Sequence, residues 1–143
     1  MRSRVIVILA IIAVGVSSTV TLPSCNDNTY VQGARLYTFH CANCHMQDGS
    51  GLENVIPSIA NSEYFTTKLD SLPCLIRHGK AKSKTSDSLM VDMPVNYQMT
   101  EYEINNVINH IFVTWYPDRD AITIQDTRNN LEDCPIPAMR YGQ

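Results

Sequence analysis

The chain has 143 residues, with 11 Lys and Arg against 14 Asp and Glu, and a net charge of −3. This length leaves room for one small domain with a single hydrophobic core. The acidic balance argues against nucleic acid as a general partner, because phosphate binding needs a surplus of positive charge.

The N-terminal segment, residues 1–24, predicts export. Arg2 and Arg4 precede a run of twelve mostly apolar residues and a small polar stretch, an order typical of a signal peptide. The apolar run is short for a membrane span, which needs about 20 residues, so an uncleaved anchor is the alternative. Cleavage would change the net charge from −3 to −5, since two arginines and no acidic residue are lost. We expect a periplasmic or cell-surface location.

The sequence Leu-Pro-Ser-Cys at residues 22–25 is similar to a bacterial lipobox, although Pro23 is unusual there. On this interpretation Cys25 becomes the lipidated N-terminus, and residues 25–30 are a polar tether to the membrane. The alternative is ordinary cleavage upstream, which leaves Cys25 as a free thiol.

The next segments alternate between helical and loop patterns. Residues 30–45 carry apolar side chains at spacings of three to five, which is compatible with a helix, and residues 46–61 indicate a loop with Gly49, Gly51 and Pro57. A second helical region covers about residues 62–78. It is broken near Asp70 and Ser71, which can cap a new helix, and Gly79 ends it. Residues 80–99 predict a long loop.

The strongest helix signal covers residues 100–115. Thr100 and Glu103 have the spacing of a capping box. An apolar stripe predicts the face of this helix that packs on the core, and its members are Ile104, Val107, Ile108, Ile111, Phe112 and Trp115. Beyond residue 116, three prolines and weak periodicity predict a C-terminal extension, residues 117–143, that would be loosely held on its own.

The motif CANCH at residues 41–45 predicts covalent haem attachment. Cys41 and Cys44 have the i, i+3 spacing that places two thiols on one side of a helix, where they can add to the two vinyl groups of one porphyrin edge. His45 follows directly and can ligate the iron. A thioredoxin-like dithiol lacks its βαβ context here, and a zinc site lacks a second closely spaced ligand pair.

Two cysteines are left, Cys74 and Cys134, an even pair in a chain expected to be exported. A disulfide between them is the economical assignment, and it would hold the C-terminal extension to the domain. Two separate buried thiols are the alternative.

The residues leave several candidates for the sixth iron ligand. They are Met46, Met90, Met93, Met99, Met139, His40, His78 and His110. Met46 and His40 lie on the proximal segment, His110 fits the edge of the core, and His78 fits a helix end. We favour Met93, because Pro94 restricts it to extended backbone and so fixes the position of a flexible thioether. The alternative is that Met93 only fills a gap in the core, and that the sixth position of the iron is open or filled by another residue.

The pattern G-A-R-L-Y-x3-C-A-N-C-H-x3-G-S-G, followed by I-P-S-I-A, M-P and an amphipathic helix, resembles a class I monohaem cytochrome c. The resemblance implies a small all-α fold over residues 31–116, whose N- and C-terminal helices cross beside one covalent haem c per chain. It implies that Gly33 permits the crossing, that the Pro57 carbonyl orients His45, that Ile59 contacts the haem, and that Met93 is the second axial ligand. The family usually has glycine where this chain has Met46.

A haem with both axial positions filled transfers single electrons and offers no site for a small-molecule substrate. We therefore expect an electron carrier and not an enzyme, with redox proteins of membrane respiratory complexes as donor and acceptor. Arg77, Lys80, Lys82 and Lys84 could attract an acidic partner or form a solvated loop. The alternatives are a haem subunit fixed in a larger respiratory complex and a ligand-binding or peroxidatic haem with an open sixth site.

Overall fold

The structure is a computed structural model that describes residues 30–53, 55–81 and 91–134. The described residues form six α-helices and one 3-10 turn: α1 (Val31–His40), α2 (Ala42–His45), α3 (Tyr64–Thr67), the turn Leu69–Ser71, α4 (Leu72–His78), α5 (Glu101–Trp115) and α6 (Ile124–Glu132). Extended pairing in the described part is limited to two isolated β-bridges. The all-α prediction is confirmed. Residues 1–24, Cys25 and the tether up to residue 29 lie outside the described residues.

The first and last helices of the predicted domain cross at Gly33. A Cβ atom at Gly33 would lie 2.1 Å from the carbonyl oxygen of Asn106 on α5. Tyr37, one turn further along α1, is 0% exposed and packs against the rings of His110 and Trp115 at centroid distances of 5.8 and 5.2 Å. This is the helix crossing that the resemblance predicts.

Helix α5 supplies most of the core. Thr100 accepts a hydrogen bond from the Glu103 amide, and the Glu103 carboxylate accepts one from the Thr100 amide, so the predicted capping box is present. The apolar stripe of this helix is buried except for Trp115, which is half-buried. No helix in the described ranges combines the length and apolar character that crossing a bilayer requires.

The second helical region has the predicted break. Helix α4 begins at Leu72, with Pro73 buried in its first turn, and ends at Gly79, which has a φ of 63°. Ser71 does not cap this helix with its side chain. Its hydroxyl instead donates to the Lys68 carbonyl at 2.7 Å, because the preceding residues form the 3-10 turn.

The C-terminal extension is held to the domain by the predicted disulfide and by further contacts. Its described part contains α6, which begins with a capping box of Thr123 and Asp126. Asn109 of α5, 2% exposed, pairs with Ile122 through both of its side-chain atoms: Oδ1 accepts from the Ile122 amide at 2.9 Å and Nδ2 donates to its carbonyl at 3.0 Å. The predicted disulfide between Cys74 and Cys134 is present. These contacts bind the extension to α4 and α5.

Candidate haem site

The CANCH motif forms a tight turn at the end of α1. Cys41 separates α1 from the single turn α2, and its carbonyl accepts hydrogen bonds from the amides of Cys44 at 3.1 Å and His45 at 2.8 Å. Cys41 is half-buried, Cys44 is exposed, and neither is in a disulfide. The two thiols are therefore free to form covalent bonds, and they lie one helical turn apart.

The Cys41 thiol resists ionisation. Burial, reinforced by the neighbouring Cys44, raises the pKa of Cys41 to about 12. Cys41 is therefore a neutral thiol when nothing is bound to it.

His45 is oriented by a backbone carbonyl. Its Nδ1 atom lies 2.9 Å from the carbonyl oxygen of Pro57, which can only accept a hydrogen bond, so the proton is on Nδ1 and the lone pair is on Nε2. Burial lowers the pKa of His45, although the hydrogen bond to Pro57 partly opposes this. A neutral imidazole with a free Nε2 is the form that ligates iron.

The loop after His45 closes tightly on it. The Gly51 amide donates to the His45 carbonyl at 3.0 Å, and a Cβ at Gly51 would lie 2.4 Å from the Ile56 carbonyl oxygen. Ile59, 8% exposed, follows in the core cluster that includes Ile76 and Ile104. The loop therefore brings Pro57 to His45 and leaves Ile59 on the apolar interior.

Met46 has a backbone conformation that normally requires glycine. Its φ of 62° and ψ of 161° lie in a region that side chains strongly disfavour. The Tyr37 hydroxyl donates to the Met46 carbonyl at 2.8 Å, and the Gly49 amide donates to the same oxygen at 3.2 Å. The loop therefore keeps a glycine-type turn although this chain has methionine there.

A Met46→Gly variant should be more stable than the wild type by about 1 kcal/mol, because relief of the backbone strain exceeds the entropy cost of glycine. Urea unfolding of the haem-loaded protein measures the difference. Gln47→Gly is the matched control, since Gln47 has no positive φ, and it should lower stability. Equal destabilisation by both glycines would contradict the assignment of strain to Met46.

Met93 is positioned by the end of α4. Its amide donates to the Lys80 carbonyl at 2.8 Å and its carbonyl accepts from the Lys80 amide at 3.1 Å. The side chain is half-buried, whereas Met99 is 3% exposed inside the core and Met46 lies beside His45. Met90 and Met139 lie outside the described residues. Ligation of the iron by Met93 stays a prediction.

Of the three histidines that sequence reasoning set aside, His40 is exposed, whereas His78 and His110 are half-buried. His110 is half-buried against Tyr37 and Trp115, and burial lowers its pKa. His78 lies in the last turn of α4, as predicted, and is also half-buried, with its ring edge-on to Tyr97 at 5.4 Å.

The predicted basic surface is only partly described. The Arg77 guanidinium donates to the Met99 carbonyl, and the Lys80 ammonium donates to the Tyr64 hydroxyl at 2.8 Å. Lys82 and Lys84 lie outside the described residues. Two of the four cations thus have partners within the chain, and attraction of an acidic partner stays a prediction.

An all-α domain with two free thiols in i, i+3 register and a neutral, oriented histidine fits a covalently bound haem. The sequence matches the Cytochrome c family over residues 30–115, and the chain belongs to this family. It is an electron-transfer protein of the kind that binds haem c covalently.

The chain is similar to proteins named "Alcohol dehydrogenase (quinone), cytochrome c subunit" from Gluconacetobacter polyoxogenes and from Komagataeibacter europaeus. Each is 29% identical over 128 residues, which cover 87% of this chain and 27% of the relative. The chain thus spans about a quarter of the length of these relatives.

Proposed function

We propose that the protein is a one-electron carrier with a single haem c, attached through Cys41 and Cys44 and ligated by His45 and Met93. The hydrogen bond between His45 Nδ1 and the Pro57 carbonyl carries this proposal, because it leaves Nε2 free and fixes the plane of the ring. When bound, haem supplies a single-electron change between ferric and ferrous iron.

The two ligands and the apolar side chains around them would limit the chemistry of a bound haem to electron transfer. His45 and Met93 would together hold the haem iron, which would leave no position for oxygen or a substrate. The thioether of Met93 favours the ferrous state, and so do the apolar side chains of the core. Those expected to line the pocket are Ile59, Leu75, Ile76, Ile104 and Ile108, four of which are buried and one half-buried.

The membrane tether is part of the proposal. A lipidated Cys25 would keep the domain on the periplasmic or cell-surface side, with redox proteins of respiratory complexes as donor and acceptor and no small-molecule substrate. Mass spectrometry of the mature N-terminus tests this. A diacylated Cys25 supports the tether, and an unmodified residue at any other cleavage point removes it.

A second candidate is a cytochrome component of a larger membrane dehydrogenase complex. The similarity to proteins named as the cytochrome c subunit of a quinone alcohol dehydrogenase favours it. Affinity purification from native membranes under mild detergent separates the two. Stoichiometric recovery with a dehydrogenase subunit supports the complex, and recovery of the cytochrome alone supports the diffusing carrier.

A Met93→Ala variant tests the ligand set directly. We expect the ferric haem to change from low spin to high spin and to bind cyanide more than about tenfold faster, because the competing ligand is gone. Visible absorption spectra and stopped-flow mixing measure both changes.

Met46→Ala is the matched control for this experiment. Met46 neighbours His45 on the proximal segment and should leave the spin state as in the wild type. A low-spin Met93→Ala protein with wild-type cyanide binding would show that another residue is the sixth ligand.

A further inference from the structure

The segment that carries Met93 is fastened to the C-terminal end of α4. Lys80, two residues after the helix, exchanges two backbone hydrogen bonds with Met93. The Asn96 amide donates to the Arg77 carbonyl at 2.9 Å. Residues 93–96 are therefore held by a helix end that lies earlier in the chain, 13 residues earlier for the pair Lys80 and Met93 and 19 residues earlier for the pair Arg77 and Asn96.

The Asn96 side chain completes this attachment. The last four carbonyls of an α-helix have no partner within the helix. In α4 the Leu75 carbonyl accepts from the Gly79 amide. The Ile76 carbonyl accepts a hydrogen bond from Asn96 Nδ2 at 3.2 Å. The Arg77 carbonyl accepts one from the backbone amide of Asn96. One residue thus satisfies two helix-end carbonyls at a half-buried position where water competes poorly.

The contact between the end of α4 and Met93 is close, and the far end of the segment, at Met99, is also bonded to α4. A Cβ at Gly79 would lie 2.2 Å from the Met93 carbonyl oxygen, so the two segments touch through their backbones. The Met99 amide donates to the Asn96 carbonyl at 3.1 Å, and Arg77 donates to the Met99 carbonyl at 3.1 Å. Residues 93–99 therefore form one unit with the end of α4.

We infer that Asn96 is a positioning residue that keeps Met93 on the haem iron by capping α4. The inference rests on the proposed ligation by Met93. Loss of the Asn96 side-chain donor leaves the backbone bonds in place, so it does not unfold the segment but raises the fraction of molecules in which Met93 has left the iron.

The test compares Asn96→Ala and Asn96→Asp, which keeps the size and removes the donor, with a control at Asn105. Asn105 Nδ2 donates to the Ile122 carbonyl at 3.1 Å and to the Thr127 hydroxyl at 2.9 Å, in the contact between α5 and the extension. An Asn105→Ala variant loses comparable bonds outside the Met93 segment. The measured quantities are the urea midpoint and the rate of cyanide binding to the ferric protein at subsaturating potassium cyanide, where the rate is proportional to the fraction of molecules in which Met93 has left the iron.

Both Asn96 variants should bind cyanide about tenfold faster than the wild type, the change expected when an opening equilibrium loses one hydrogen bond. Asn105→Ala should lower the urea midpoint and leave the rate unchanged. Amide hydrogen exchange at Met93 gives a readout without added ligand, and it should accelerate in the Asn96 variants alone.

Wild-type rates in both Asn96 variants, or equal acceleration by Asn105→Ala, would overturn the inference. If Met93→Ala becomes high spin while the Asn96 variants keep the wild-type rate, only the role of Asn96 fails. If Met93→Ala stays low spin with unchanged cyanide binding, the ligation and the inference fail together.

Discussion

Replacement of both Cys74 and Cys134 by serine is expected to lower the free energy of unfolding by about 4 kcal/mol. The two residues are 60 positions apart, and their bond removes a large part of the conformational freedom of the unfolded chain. The bond also fixes α6 against α4. Urea unfolding of the haem-loaded protein, followed by far-ultraviolet circular dichroism, measures the loss.

The control for this prediction is the wild type treated with a thiol reductant, since thioether bonds at Cys41 and Cys44 are not reduced. All samples are compared with ferrous haem, because the reductant also reduces the iron. Reduced wild type and the double serine variant should have the same urea midpoint. A double variant as stable as the oxidised wild type would show that α6 is held by its packing and by Asn109 alone.

A Gly33→Ala variant is expected to lose about 3 kcal/mol of stability, the upper part of the range for overpacked contacts. The added methyl group would lie 2.1 Å from the Asn106 carbonyl oxygen and 2.7 Å from the His110 Cβ atom, and the carbonyl belongs to the backbone of α5. The two helices must move apart to admit it. Alanine is the better helix former by about 1 kcal/mol, so the measured loss is already net of that gain.

Arg35→Ala on the same helix is the matched control. Arg35 is exposed, and its replacement should change stability by no more than about 0.5 kcal/mol. Thermal or urea unfolding with bound haem compares the two. If the Gly33→Ala protein is as stable as the Arg35→Ala variant, the helices do not cross as closely as the structure shows.

Local sequence signals predicted the parts of the fold that depend on neighbouring residues. Thr100 and Glu103 are three residues apart, and their capping box is present. Gly79 ends α4 with a positive φ, as a glycine directly after a helical segment indicates. The disulfide followed from the number of cysteines, and it is present.

The missed features depend on distant partners or on a weak signal. Asn96 gave no local signal, because the carbonyls that it caps are about 20 residues earlier in the chain. Helix α6 had a detectable signal, the spacing of Thr123 and Asp126, but it was masked by the prolines around it. Its attachment through Asn109 could not be predicted, since a polar residue on a core helix has no partner until the fold brings Ile122 to it.

The most direct test of the electron-carrier account is the addition of carbon monoxide to the dithionite-reduced wild-type protein, followed by visible absorption. Iron ligated on both sides by His45 and Met93 has no free position for the gas. We expect the low-spin ferrous spectrum to stay unchanged on the time scale of mixing. Immediate and complete formation of a carbon monoxide adduct would contradict the account and show a haem built to bind ligands.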